Sequence, residues 1–178
     1  FWDEKTYIDL LKINGGRNRI SYYDSINGNL LKKQQVFEIH KRKQFHYLNF
    51  IEDGAVKLKT GVFRLITELM EKKIRQFIVT SSSRIQVNSL IKILFEDINP
   101  FEFFIASEDV NLHKPDPLPY LKAISLSGIN KKNSIVFEDS IPGVKSSLKA
   151  ELPTICVQSN IPVEFGNDIR LKIIIDNL

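Results

Sequence analysis

The 178 residues contain one cysteine, one methionine, one tryptophan and three histidines. With Cys156 alone, no internal disulfide can form, so an apolar core has to hold the fold, as it does in a reducing compartment. Cys156 lies in Thr154-Ile155-Cys156-Val157, which reads as a buried strand, where thiols are inert. His40, His46 and His113 fall at no spacing that suits a metal. No apolar run approaches the length that spans a bilayer, and no signal-peptide pattern opens the chain. The expected place is therefore the cytoplasm, or the plastid stroma if the source is an alga, with no membrane partner. Low-complexity tracts and internal repeats are also missing.

Charge of one sign is in only slight excess. Lysine and arginine number 25 against 21 acids, a formal net charge of +4, with a pI near 9.1. Apart from Lys41-Arg42-Lys43 and Lys131-Lys132 the cations are scattered. A nucleic-acid site would need a basic stripe interleaved with aromatics, so no nucleic-acid partner is expected. The excess reads as solvated helix faces, with a few cations reserved for an anionic substrate. A monomer is the default.

What is present is ordinary globular material, 43% hydrophobic and 26% charged. The length suits one substantial domain, or a core with a small appended module. From Phe1 to about Lys57 the patterns are helical. Tyr7, Leu10, Leu11 and Ile13 share a helical face, Gly15-Gly16 breaks it, and Val36, Ile39, Phe45 and Leu48 mark a further helix. From residue 58 the texture changes to alternation. Helices are predicted from Val62 to Met70, Ile85 to Leu94, Leu118 to Leu126 (Asp116 as N-cap, Pro117 first) and Val144 to Ala150. Strands are predicted at Gln76–Thr80, Phe103–Ala106, Ser134–Phe137, Thr154–Val157 and Lys172–Ile175. The fold class is α/β, a three-layer Rossmann-like parallel sheet (58–178) with a small all-helical cap (1–57).

Three segments carry chemistry. Thr80-Ser81-Ser82-Ser83 follows a strand and opens a helix, where hydroxyls and backbone N–H groups bind anions; it also reads as a capping turn. Lys114, in Leu112-His113-Lys114-Pro115-Asp116-Pro117, is held extended by the proline that follows. It also reads as a solvated loop lysine. Glu138-Asp139 ends a strand, and adjacent carboxylates are stable together when a hard cation such as Mg²⁺ sits between them. A solvated strand end with a helix cap is the alternative. In the order hydroxyl, lysine, acid pair, the three together make a phosphate and Mg²⁺ site.

On these residues the chain resembles the haloacid dehalogenase superfamily of phosphohydrolases. Thr80 matches its second motif, Lys114 its third and Glu138-Asp139 its fourth. Lys-Pro-Asp-Pro and Glu-Asp-Ser-x-x-Gly-Val resemble the β-phosphoglucomutase-like subgroup. Trp2-Asp3-Glu4, Leu10-Leu11-Lys12 and Gly15-Gly16-Arg17-Asn18-Arg19-Ile20 are similar to the cap of CbbY-type sugar-phosphate phosphatases. The resemblance implies a Mg²⁺-dependent phosphatase acting on a small phosphorylated sugar through an aspartyl-phosphate. A xylulose-1,5-bisphosphate-like sugar bisphosphate is the substrate it suggests. Asp139 and Glu138 would hold the metal, Thr80 and Lys114 would act on the phosphoryl group, and Ser81, Ser82, Arg17 and Arg19 would bind substrate. A phosphomutase and a non-catalytic binding protein are the alternatives. The family nucleophile sits in an Asp-x-Asp-Gly-Thr segment at the end of the first core strand. Asp24, in Tyr23-Asp24-Ser25-Ile26, does not match it. The expectation is that this central strand and the first cap helix lie upstream of Phe1.

Overall fold

The computed structural model describes residues 2–11, 13, 15–96, 98–157 and 171–175. Phe1 and Lys12, which belong to the first predicted helical stretch, lie outside them. The described chain forms two compact units, Phe1–Ala55 and Val56–Leu178.

The first unit is helical throughout: α1 (Glu4–Leu11), α2 (Gly16–Ile26) and α3 (Lys33–Glu52). The double glycine does separate two helices. Gly15 holds φ +83 at the α2 N-cap, a left-handed conformation that side chains resist. Leu10, Ile20, Val36 and Ile51 are buried. The Trp2 and Tyr23 rings meet at 5.3 Å. Asp24 is structural: it is buried, and its carboxylate accepts the Leu30 and Leu31 N–H groups (3.0 and 3.1 Å), which turns the chain into α3.

The second unit alternates helix and strand: α4 (Val62–Glu71), β1 (Phe77–Val79), α5 (Arg84–Phe95), β2 (Phe103–Ile105), α6 (Leu118–Ser127), β3 (Val136–Glu138), α7 (Ile141–Lys149), β4 (Thr154–Val157) and β5 (Leu171–Ile175). All described pairings are parallel, as alternation demands, but they form two sheets, β1-β2 and β3-β4-β5. The single expected sheet is therefore interrupted between β1 and β3. One cluster still spans the interruption. Tyr120, Ala150 and Leu152 pack with Val79 of β1, Val136 of β3 and Ile124.

Element ends shift by one or two residues, and α7 starts three residues earlier than predicted, at Ile141, with Ser140 as its N-cap. Strand β3 starts at Val136, two residues later than predicted, because the preceding 3₁₀ turn Lys131–Asn133 holds Ser134, whose hydroxyl donates to the Lys131 carbonyl at 2.7 Å. The predicted capping of α6 is off by one. Pro117 occupies the N-cap position, and the Asp116 carboxylate accepts the Leu118 N–H at 2.9 Å. Buried hydroxyls fix α7 against β4 and against the loop before α6. Thr154 donates to Ser147 (2.8 Å), Ser147 donates to the Val144 carbonyl, and Ser146 donates to the Asp116 carbonyl. Among the described residues no helix is long and apolar enough to cross a membrane.

Candidate functional site

The three chemistry-bearing segments sit at carboxyl ends of parallel strands, the edge where open α/β sheets place their sites. Thr80 follows β1, and its hydroxyl oxygen accepts the Ser82 N–H at 3.0 Å. Ser83 caps α5 by accepting the Gln86 N–H, and Gln86 returns the bond to the Ser83 N–H at 3.1 Å. The capping-turn reading thus holds at Ser83, while Ser81 stays exposed. The turn is fastened from the β2 side. Ser107 N–H donates to the Ser82 carbonyl (2.9 Å), and the Arg84 guanidinium meets the Asp109 carboxylate at 2.6 Å.

Asp109 has a pKa held below the usual carboxylate value, chiefly by the Ala106 N–H it accepts at 2.8 Å and further by Arg84. A depressed folded pKa gives stability that is complete above the unfolded value and lost as pH falls through the folded one. Asp109→Asn is therefore expected to flatten the fall in stability below pH ~4, read as urea midpoint against pH. An unchanged acid limb would contradict the role.

Lys114 is buried, not a loop lysine in solvent. Its ammonium has three hydrogens and three acceptors: the Val79 carbonyl at 2.8 Å, the Tyr120 hydroxyl at 3.3 Å, and the Glu138 carboxylate. Tyr120 in turn donates to the same Glu138 oxygen. The other Glu138 oxygen accepts the Ser140 hydroxyl at 3.2 Å, and the Ser140 oxygen accepts the Gly143 N–H, which caps α7. No described buried side-chain polar atom is left without a partner. Lys114 thus spans the interruption between the sheets, from the carbonyl beside Thr80 to the end of β3. Burial first, and then the Glu138 carboxylate, push the Tyr120 phenol far above its usual pKa, so it stays a neutral donor.

The two acids have different surroundings. Glu138 is buried on Lys114 and Tyr120, while Asp139 is exposed and meets Lys59 at 3.1 Å. Each carboxylate thus has an ammonium beside it. Mg²⁺ takes one or two carboxylates and fills its other positions with water and phosphate oxygens. Asp139, an exposed carboxylate, fits that donor set, with the Lys59 ammonium as the cation Mg²⁺ would displace. Among the described residues no group of three or more His, Cys, Asp and Glu side chains forms a dedicated metal cage. Burial, with Asp139 and Glu138 adding to it, raises the Cys156 pKa, which agrees with an inert thiol.

Arg17 and Arg19 belong to the other unit, in the first turns of α2. Arg19 Nε donates to the Ile13 carbonyl at 2.8 Å. A Cβ added at Gly16 would lie 2.6 Å from the His40 ring and 3.7 Å from Lys43 Nζ, so both α3 side chains close on the start of α2. Partial burial, then Lys43 and Arg17, lower the His40 pKa; burial and Arg19 lower that of Lys43. His40 is thus packed against Gly16 inside a cationic cluster. Tyr120 and His40 are the residues that sequence reasoning missed.

Residues 10–157 match the Haloacid dehalogenase-like hydrolase family. Protein CbbY of Rhodobacter capsulatus is 31% identical over 163 residues, which cover 89% of this chain and 71% of that protein. A CBBY-like protein of Arabidopsis thaliana is 26% identical over 89% of this chain, which spans only 52% of that relative. Among solved structures, CbbY from Rhodobacter sphaeroides in complex with phosphate superposes with a TM-score of 0.86 at 24% identity, over 99% of this chain and 79% of that one. A second structure of that protein, in complex with Xylulose-(1,5)bisphosphate, gives the same values. β-Phosphoglucomutase from Clostridium difficile superposes with a TM-score of 0.76 at 18% identity, over 99% of this chain and 76% of that one. At these identities the structural likeness establishes the fold.

Proposed function

The chain belongs to the haloacid dehalogenase-like hydrolases and, within them, to the CbbY type; from that premise we propose that it is the phosphate- and metal-binding portion of a sugar-phosphate phosphatase. The observation that carries this reading is the buried Lys114 ammonium, which joins the carbonyl beside Thr80 to Glu138. Phosphoryl transfer asks mainly for positioning and charge neutralisation, and these groups supply both. In this reading Thr80 and the Ser81 backbone hold the transferring phosphoryl group, with Ser82 beside them. Lys114 balances its charge. Asp139 holds Mg²⁺ directly, and Glu138 does so directly or through water. When bound, the ion supplies neutralisation of the phosphoryl oxygens. Arg17 and Arg19 are assigned to a second, distal phosphate, for which arginine's fork suits bidentate pairing. The relative that binds xylulose-1,5-bisphosphate supports a sugar bisphosphate as the substrate class.

The test is phosphate release from a sugar 1,5-bisphosphate by protein that includes an Asp-x-Asp-Gly-Thr segment, which is not among these 178 residues. Release should vanish with EDTA and fall on the order of a hundredfold in Asp139→Asn, given that such ions contribute several kcal/mol. Release untouched by both changes overturns the reading.

A further inference from the structure

Tyr120 is a member of the buried network to which neither the motifs nor the family match assigns a role. It stands in the first turn of α6, six residues after Lys114, with its ring in the core cluster that bridges the two sheets. Its hydroxyl is fully used: it accepts from Lys114 and donates to Glu138. The Lys114 ammonium also lies 4.9 Å from the centre of the ring, so the aromatic face and the hydroxyl both hold it. Of the three Lys114 hydrogens, the one on Tyr120 makes the longest bond, 3.3 Å against 2.8 Å to the Val79 carbonyl.

We propose that Tyr120 is a positioning residue of this site: its hydroxyl fixes Lys114 and Glu138 relative to each other and is the acceptor Lys114 releases when a phosphoryl oxygen arrives. The proposal rests on the phosphatase reading and deepens it. A lysine has only three hydrogens. To reach an anionic oxygen without abandoning Glu138, it gives up its weakest acceptor. The Tyr120 hydroxyl can lose that hydrogen at little cost, because it keeps its own bond to Glu138. Phenylalanine at 120 would retain the ring and its packing but would leave a Lys114 hydrogen and a Glu138 lone pair unmatched in a buried place.

The experiment has two arms. In the 178-residue chain, proton NMR should show a slowly exchanging, low-field Tyr120 hydroxyl proton that is lost in Tyr120→Phe and shifts in Lys114→Ala and Glu138→Gln. In protein that includes the Asp-x-Asp-Gly-Thr segment, Tyr120→Phe should lower kcat about ten- to hundredfold, the range for a hydrogen bond to a charged group, with KM changed less than about twofold. A structural role alone would lower the melting midpoint and leave kcat per folded molecule unchanged. That result, or the absence of a protected hydroxyl proton, overturns the proposal. No phosphate release by the unsubstituted protein would instead sink the phosphatase reading, so the two failures are distinguishable.

Discussion

Lys114→Ala is expected to destabilise the second unit by about 3–5 kcal/mol, the cost of removing one partner from a buried ion pair. The side chains of Lys114 and Glu138 are only 8% and 7% exposed, so solvent cannot replace the lost ammonium. Glu138 would keep the Tyr120 and Ser140 hydroxyls, but two neutral donors do not neutralise a carboxylate. The number measures stranding and not the worth of the pair, since a buried pair often contributes little against a neutral replacement. Lys114→Met combined with Glu138→Gln should therefore recover most of the lost stability, because the amide still accepts from Tyr120. Urea midpoints of the parent, Lys114→Ala, Lys114→Met, Glu138→Gln and the double variant form the test. A single-variant loss below about 1 kcal/mol would be that of an exposed pair and would refute the burial. Inorganic phosphate binding should be lost in the single and double variants alike, which separates stability from the site's chemistry.

The second large effect is expected at Gly143, in the first turn of α7. A Cβ there would stand 1.9 Å from a Glu138 carboxylate oxygen and 2.1 Å from the carboxyl carbon. Neither side can yield easily. Glu138 is held by Lys114, Tyr120 and Ser140, and α7 is pinned by Val144, Ser146 and Ser147, none of them accessible to solvent. Gly143→Ala is expected to cost about 2–3 kcal/mol by overpacking. The sign is decisive, because helix propensity alone would make alanine stabilising by roughly 0.5–1 kcal/mol. In a Glu138→Ala background the clash partner is gone, and the same substitution should be neutral or favourable. Thermal melts of this four-member cycle give the coupling energy. Equal costs in both backgrounds would show that glycine at 143 serves something other than room for Glu138.

How much of this was legible in the sequence differs from residue to residue. The helix–strand alternation was readable because each strand is a short apolar run bounded by turn residues. The split into two sheets was not, since strand adjacency depends on contacts far apart in the chain. Lys114 and Glu138 could be picked out by residue type and place. Their mutual pairing could not, and the two acids diverge because one side chain points into the core and the other into solvent. Lys59 lies 80 residues from Asp139, a distance over which no local pattern acts. Tyr120 falls inside the predicted helix Leu118 to Leu126, where no local pattern singles it out. The only available signal was a polar-tipped aromatic at the start of a helix that follows the lysine closely. His40 carried no signal at all, because its packing depends on the side chain that Gly16 lacks.

The bond from the Ser146 hydroxyl to the Asp116 carbonyl joins α7, which follows the acid pair, to the loop that carries Lys114. It is a strut between the two bearers of opposite charge. It adds to the Lys114–Glu138 pair in holding their spacing. Warming should accordingly leave this spacing intact until the surrounding layer melts as a whole, and the site should fade in step with global unfolding and not ahead of it.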